Sequence, residues 1–167
     1  MTTLLAERRL ELAIVIGVIV LDQLTKMLVR NALALHESVD VVPDLLSLTR
    51  VHNTGAAFGL LNGVDFAFKA VLMSVVAVAA LGGVAWYAST VPLTDVLARA
   101  GMAGVVGGAI GNLIDRATAG YVLDFVDAYW RGWHFWAFNV ADAAISIGVA
   151  CMIFDILGLG RRASHSV

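Results

Sequence analysis

The sequence predicts a mainly α-helical membrane protein in which four helices cross the bilayer and a small sheet lies over one end of the bundle. Three observations carry this reading. Of the 167 residues, 60% are hydrophobic and only 14% are charged, against roughly 25% in ordinary soluble proteins. No charged residue occurs from Ala70 to Thr94, and about 20 residues at 1.5 Å each cross a ~30 Å hydrocarbon core. The ionisable residues that do interrupt or flank the apolar segments, Asp22, Lys26, Asp115, Arg116 and Asp142, are costly there and therefore informative.

The first span is placed at about residues 10–28. Arg8-Arg9 ahead of an apolar run and Ala32-Leu33-Ala34 behind it imitate a secretory signal. Asp22, Lys26 and Arg30 fall where a short neutral stretch would be needed, which favours an uncleaved helix. An outer loop follows at about 30–65, where Leu46 to Val51 alternates apolar and polar residues. Turn chemistry then comes at Asn53-Thr54-Gly55, ahead of Ala56-Ala57-Phe58-Gly59. The pattern predicts a hairpin or cupped sheet on the membrane surface.

The second span, about 68–88, puts Trp86 and Tyr87 at its far interface. Pro92 and Asp95 break the apolar run, so a tight turn of about ten residues makes an antiparallel hairpin with the third span, about 96–115. In that span Gly104 and Gly108, and likewise Gly107 and Gly111, stand four apart, a spacing that lets helix backbones approach closely. A second outer loop at about 117–137 opens with a strand from Tyr121 to Asp127, in which Asp124 shares a face with Val122 and Val126. Tyr129, Trp130, Trp133, Phe135, Trp136 and Phe138 then form an aromatic belt suited to the headgroup region. The fourth span is placed at about 138–157, and the whole chain, 1–167, reads as one integral membrane domain.

Asp22, Thr25 and Lys26 stand at i, i+3, i+4 near the end of the first helix, and Asn112, Asp115 and Arg116 repeat that spacing at the end of the third. Asn139 and Asp142, three apart, open the fourth. Four antiparallel crossings bring these three polar faces to the same side, beneath both outer loops. Arg8, Arg9, Arg99, Arg161 and Arg162 lie on the terminal side, and Arg30, Arg50, Lys69 and Arg131 on the other once Lys26 and Arg116 are assigned to the polar cluster. That difference slightly favours cytoplasmic termini.

Several chemistries are disfavoured. The eleven basic residues are scattered and net charge is −2, so nothing tracks nucleic-acid phosphates. The single cysteine, Cys151, rules out an intramolecular disulfide and reads as a packed thiol. His36, His52, His134 and His165 all fall in loops or tails, and no Gly-x-Ser-x-Gly elbow or His-Glu-x-x-His pair occurs. Carboxylates remain. Asp124 on the loop and Asp142 at the start of helix four could meet, share a proton and act as base and acid. Two other readings stay open on spacing alone: structural ion pairs, Asp22 with Lys26 and Asp115 with Arg116, and a small ion- or proton-coupled transporter.

Five blocks sharpen the choice. Asp22-Gln23-Leu24-Thr25-Lys26, Asn53-Thr54-Gly55-Ala56-Ala57-Phe58-Gly59, the run Gly108 to Arg116, Val122-Leu123-Asp124-Phe125-Val126-Asp127 and the run Phe138 to Ile145 together resemble the lipoprotein signal peptidases, or signal peptidase II, in order and over nearly the whole chain. The resemblance implies an intramembrane aspartic endopeptidase that removes signal peptides from diacylglyceryl-modified prolipoproteins, cutting before the lipidated cysteine. It implies Asp124 and Asp142 as catalytic acids, Asn53, Asn112, Arg116 and Asn139 as substrate-binding or pocket-supporting residues, and Asp22, Lys26 and Asp115 as structural ones. The implied fold is four transmembrane helices with an extracytoplasmic β-cradle and a short surface helix. The implied setting is the bacterial inner membrane, with the active site at the periplasmic face, cytoplasmic termini, prolipoprotein and membrane lipid as partners, no metal or other cofactor, and a monomeric chain.

Overall fold

The computed structural model describes residues 8–55 and 69–158. In chain order these form α1 (Arg9–Ala32), β1 (Ser38–Val42), β2 (Leu46–Asn53), α2 (Lys69–Thr90), α3 (Val96–Ala119), β3 (Val122–Trp130), β4 (Trp133–His134) and α4 (Val140–Ile156). The segment Ala56-Ala57-Phe58-Gly59, the start of the second span and the tail bearing Arg161, Arg162 and His165 lie outside the described residues. No short surface helix occurs among those described.

Among the described residues, three helices are long and apolar enough to cross a membrane: α1, α2 from Val71, and α3. The fourth, α4, has 17 residues and rises about 26 Å, slightly less than a ~30 Å hydrocarbon core. Most side chains of α2 point outward, and Val71, Val75, Val76, Val78 and Trp86 are exposed as they would be to lipid. The connection to α3 is shorter than expected, because α2 continues to Thr90 and leaves only residues 91–95 between the helices.

At the centre of the bundle is α3, whose glycines admit a neighbour on each side. A Cβ on Gly104 would stand 3.2 Å from the Ala144 carbonyl of α4, and one on Gly107 would stand 2.9 Å from Val18 Cβ of α1. At the end of the bundle away from the sheet, Arg99 of α3 reaches Glu11 of α1 at 2.5 and 3.2 Å and the Val91 carbonyl at 3.0 Å. Arg99 is buried while Glu11 stays partly exposed, so the carboxylate and the Val91 carbonyl together offset the hydration that the guanidinium loses.

Over the opposite end lies a four-stranded antiparallel sheet in the order β1-β2-β3-β4. The β1–β2 hairpin turns between Val42 and Leu46, earlier in the chain than the turn residues Asn53-Thr54-Gly55 had suggested. Asn53 instead closes β2, its side-chain oxygen accepting from Gly55 N at 2.9 Å in a local turn. Beneath the sheet, Val29 of α1 packs with Leu123 and Phe125 of β3, which seats the strands on the helices. Arg50 completes the junction by donating to the Arg30 and Leu33 carbonyls at 3.1 and 3.0 Å, satisfying acceptors that the end of α1 leaves open.

Candidate active site

Asp124 is the third residue of β3, opposite Val51 of β2, and is almost wholly buried. Asn53, two residues further along β2, donates from Nδ2 to Asp124 Oδ2 at 2.9 Å. Its own oxygen is occupied by Gly55 N, so the amide is held with its NH2 toward the acid. Asn139 donates to Asp124 Oδ1 at 2.7 Å. Burial and then the charge of Asp142 push the Asp124 carboxyl up to about 7, against the lowering effect of the two asparagine hydrogen bonds and of Lys26.

Asp142 arrives from a different element. It is the third residue of α4, where Asn139 Oδ1 accepts from Asp142 N at 2.9 Å and Asp142 Oδ2 accepts from Asn139 N at 3.3 Å, a reciprocal capping box. Asn139 therefore ends α4 with its oxygen and grips Asp124 with its nitrogen. Asn112 of α3 donates to the other oxygen, Asp142 Oδ1, at 2.8 Å. Both carboxylates open into one cavity of about 380 Å3 whose remaining wall is largely apolar, including Phe135, Trp136, Phe138 and Ile147. Two acids that share Asn139 as a partner thus open into one largely apolar space.

Behind this pair is a fully buried charged layer. Lys26 Nζ stands 2.8 Å from Asp22 Oδ2, 2.9 Å from Asp115 Oδ2 and 3.1 Å from Asn112 Oδ1. Asp22 Oδ1 accepts from Ala141 N at 3.0 Å, joining α1 to the first turn of α4. Asp115 Oδ1 takes Arg30 at 2.9 Å, and its Oδ2 also accepts from Leu123 N at 3.1 Å, joining the helices to β3.

A profile of the family described as signal peptidase (SPase) II matches residues 14–158. The chain belongs to the signal peptidase II family. Its similarity to curated relatives is of the same extent: it is 43% identical to the lipoprotein signal peptidase of Geobacter sulfurreducens over 150 residues, covering 90% of this chain and 92% of that one. It is 40% identical to that of Mesorhizobium japonicum over 154 residues, covering 92% and 89%. Two solved structures, each described as a bacterial membrane enzyme, match with TM-scores of 0.77 and 0.76 at 27% and 26% identity. These cover 94% and 88% of this chain and 93% and 92% of theirs. Membership makes the chain a peptidase, and the family match spans every member of the polar network.

Asn53, Asn112, Asp124, Asn139 and Asp142 are thus joined by side-chain hydrogen bonds into one group, with Asp22, Lys26 and Asp115 behind it. Arg116 goes elsewhere. It does not form the ion pair with Asp115 that adjacency suggested, because consecutive helical residues point about 100° apart; it donates instead to the Gly55 carbonyl at 3.1 Å. Asp115 takes its charge balance from Lys26 and Arg30 of α1. Arg30 was not singled out from sequence, although it stands four residues beyond Lys26 on the same helical face. Gln23, also passed over, donates to Asp22 Oδ2 at 3.1 Å and to the Gly111 carbonyl at 3.2 Å, where the absence of a Cβ lets α1 lie close to α3.

Proposed function

We propose that this peptidase is an intramembrane aspartic endopeptidase that removes the signal peptide from diacylglyceryl-modified prolipoproteins, cutting before the lipidated cysteine. The observation that carries the reading is the bridge through Asn139, which ties Asp124 and Asp142 together at the rim of one cavity. Asp124, pushed up to about 7, holds a proton near neutrality and serves as the acid, and Asp142 serves as the base. Asp142 takes a proton from water as the water oxygen bonds to the scissile carbonyl carbon, while Asp124 passes its proton to the carbonyl oxygen. The resulting gem-diol collapses as the amide nitrogen takes the proton from Asp142 and leaves, and Asp124 recovers its proton from the diol. Substrate hydroxyls and carbonyls in that space would be oriented by Asn53, Asn112 and Asn139, with Arg116 holding the backbone beside Asn53 through Gly55.

The setting follows from the same reading. Four spans in a single domain, with α4 the shortest, put both termini on one side of the membrane; in this reading that side is the cytoplasm, and the sheet faces the periplasm at the inner membrane. The apolar wall of the cavity suits a substrate arriving sideways with its acyl chains still in lipid. Transport, the other class the intramembrane charges could serve, has no support among the relatives, and the charged layer is confined to the sheet end with the Glu11–Arg99 clamp at the other. An assay of purified protein with lipid-modified and unmodified precursor side by side tests the proposal. Cleavage of the modified form alone, abolished in Asp142→Asn, is expected. Processing by Asp142→Asn at a near-parental rate would overturn the dyad.

A further inference from the structure

The buried lysine does more than neutralise its neighbours. An ammonium carries three donors and no acceptor, and here it donates to Asp22 Oδ2, pairs with Asp115 Oδ2 at 2.9 Å and donates to Asn112 Oδ1. The last contact decides which way the Asn112 amide faces. With Oδ1 held by Lys26 at 3.1 Å, Nδ2 points to Asp142 Oδ1 at 2.8 Å. Turned over, the amide would set its NH2 against the ammonium and its carbonyl against the carboxylate, two like-polarity contacts in a buried space. Asn139 Nδ2, 3.2 Å from Asn112 Oδ1, reinforces the same orientation. The cluster carries no net charge, since Asp22 and Asp115 are balanced by Lys26 and Arg30, so what reaches Asp142 is the direction of one amide.

From this geometry we infer that Lys26 is a positioning residue for Asp142, acting through Asn112 to keep a hydrogen-bond donor on the carboxylate. The inference rests on the reading of Asp142 as catalytic. A lysine that only joined α1 to α3 would matter for folding and not for turnover in protein that has folded.

Lys26→Ala alone would leave two acids buried with one cation, so the test uses Asp22→Asn with Lys26→Met. That pair keeps an acceptor for Ala141 N and leaves Asp115 balanced by Arg30. In the full chain in detergent, the expected result is a melting temperature near the parent's, a KM within about twofold and a kcat lower by roughly 10- to 100-fold, the scale of loss for a misplaced catalytic group. Adding Asn112→Ala to the pair should lower kcat no further than Asn112→Ala does alone. A folded pair variant with parental kcat, or losses that multiply in the triple variant, would overturn the inference. Those results leave the dyad standing so long as Asp142→Asn is inactive; turnover by Asp142→Asn would remove the dyad itself.

Discussion

At the scale of single residues, Asp124 sets the pH dependence expected of the proposed dyad. Its carboxyl is raised to about 7 from an ordinary 3.8, so the folded protein holds this proton more tightly than the unfolded chain does. Stability from that proton is complete below the ordinary value and is lost as pH rises through about 7. Melting temperature in detergent should therefore fall from pH 4 to pH 8, and Asp124→Asn should flatten that part of the curve. Catalysis by a protonated Asp124 gives the same sign: kcat/KM should decline above about pH 7, approaching tenfold per unit. A rate that rises steadily from pH 7 to 9 would reverse the roles assigned to the two acids. Asn139 is the more exposed weakness, because one side chain caps α4 and grips Asp124. Asn139→Ala should cost about 1 kcal/mol for the cap and lower activity as well, measured by thermal melting and precursor cleavage on the same preparation.

Among the elements, α3 and α4 depend on missing side chains. The Cβ of Gly108→Ala would run into the Ala141 carbonyl, so this substitution should cost about 1–3 kcal/mol and disturb the first turn of α4, where Asp142 sits. Gly82→Ala on α2 has nothing within 4 Å and should be nearly neutral in the same melting experiment. Element positions were largely readable from the chain because lipid imposes long apolar runs, and alternation with an interposed acid marked β3. Two details were not readable. The connection between α2 and α3 is shorter because Ser89 and Thr90 satisfy their hydroxyls on the Trp86 and Tyr87 carbonyls, so the helix continues through residues that resemble a turn. The partner of Asp115 was missed because adjacency in sequence competes with helical geometry, and only the packing of α1 on α3 reveals Lys26 and Arg30 as the cations that reach it.

For the whole molecule, the two ends of the bundle do different work. Glu11 and Arg99 clamp the end away from the sheet. Glu11→Ala leaves the buried Arg99 without its carboxylate, which should cost about 1–3 kcal/mol in melting while leaving the cleavage position unchanged, as read by mass spectrometry of the products. The proposed fourth crossing adds a dependence on the bilayer. A helix of 17 residues suits a hydrocarbon core of about 26–27 Å, so cleavage in proteoliposomes should be fastest in thin bilayers and slow as acyl chains lengthen, with the dyad drawn below the water layer. A rate indifferent to chain length would argue that α4 does not hold the acids at a set depth. The convergence of three helix ends was legible from polar spacing, since such residues have no other reason to recur in apolar segments. The asparagine wiring between the acids was not, because an amide can face either way until its neighbours are known.

Asp22 near the end of α1 accepts a hydrogen bond from the backbone N–H of Ala141, which the ribosome adds more than a hundred codons later. The seat for the last helix is built first and waits. Under the proposed dyad the nascent protein lacks Asp142 until α4 is made, so a half-made chain would not cut, and proteolysis would begin only once synthesis of α4 is finished.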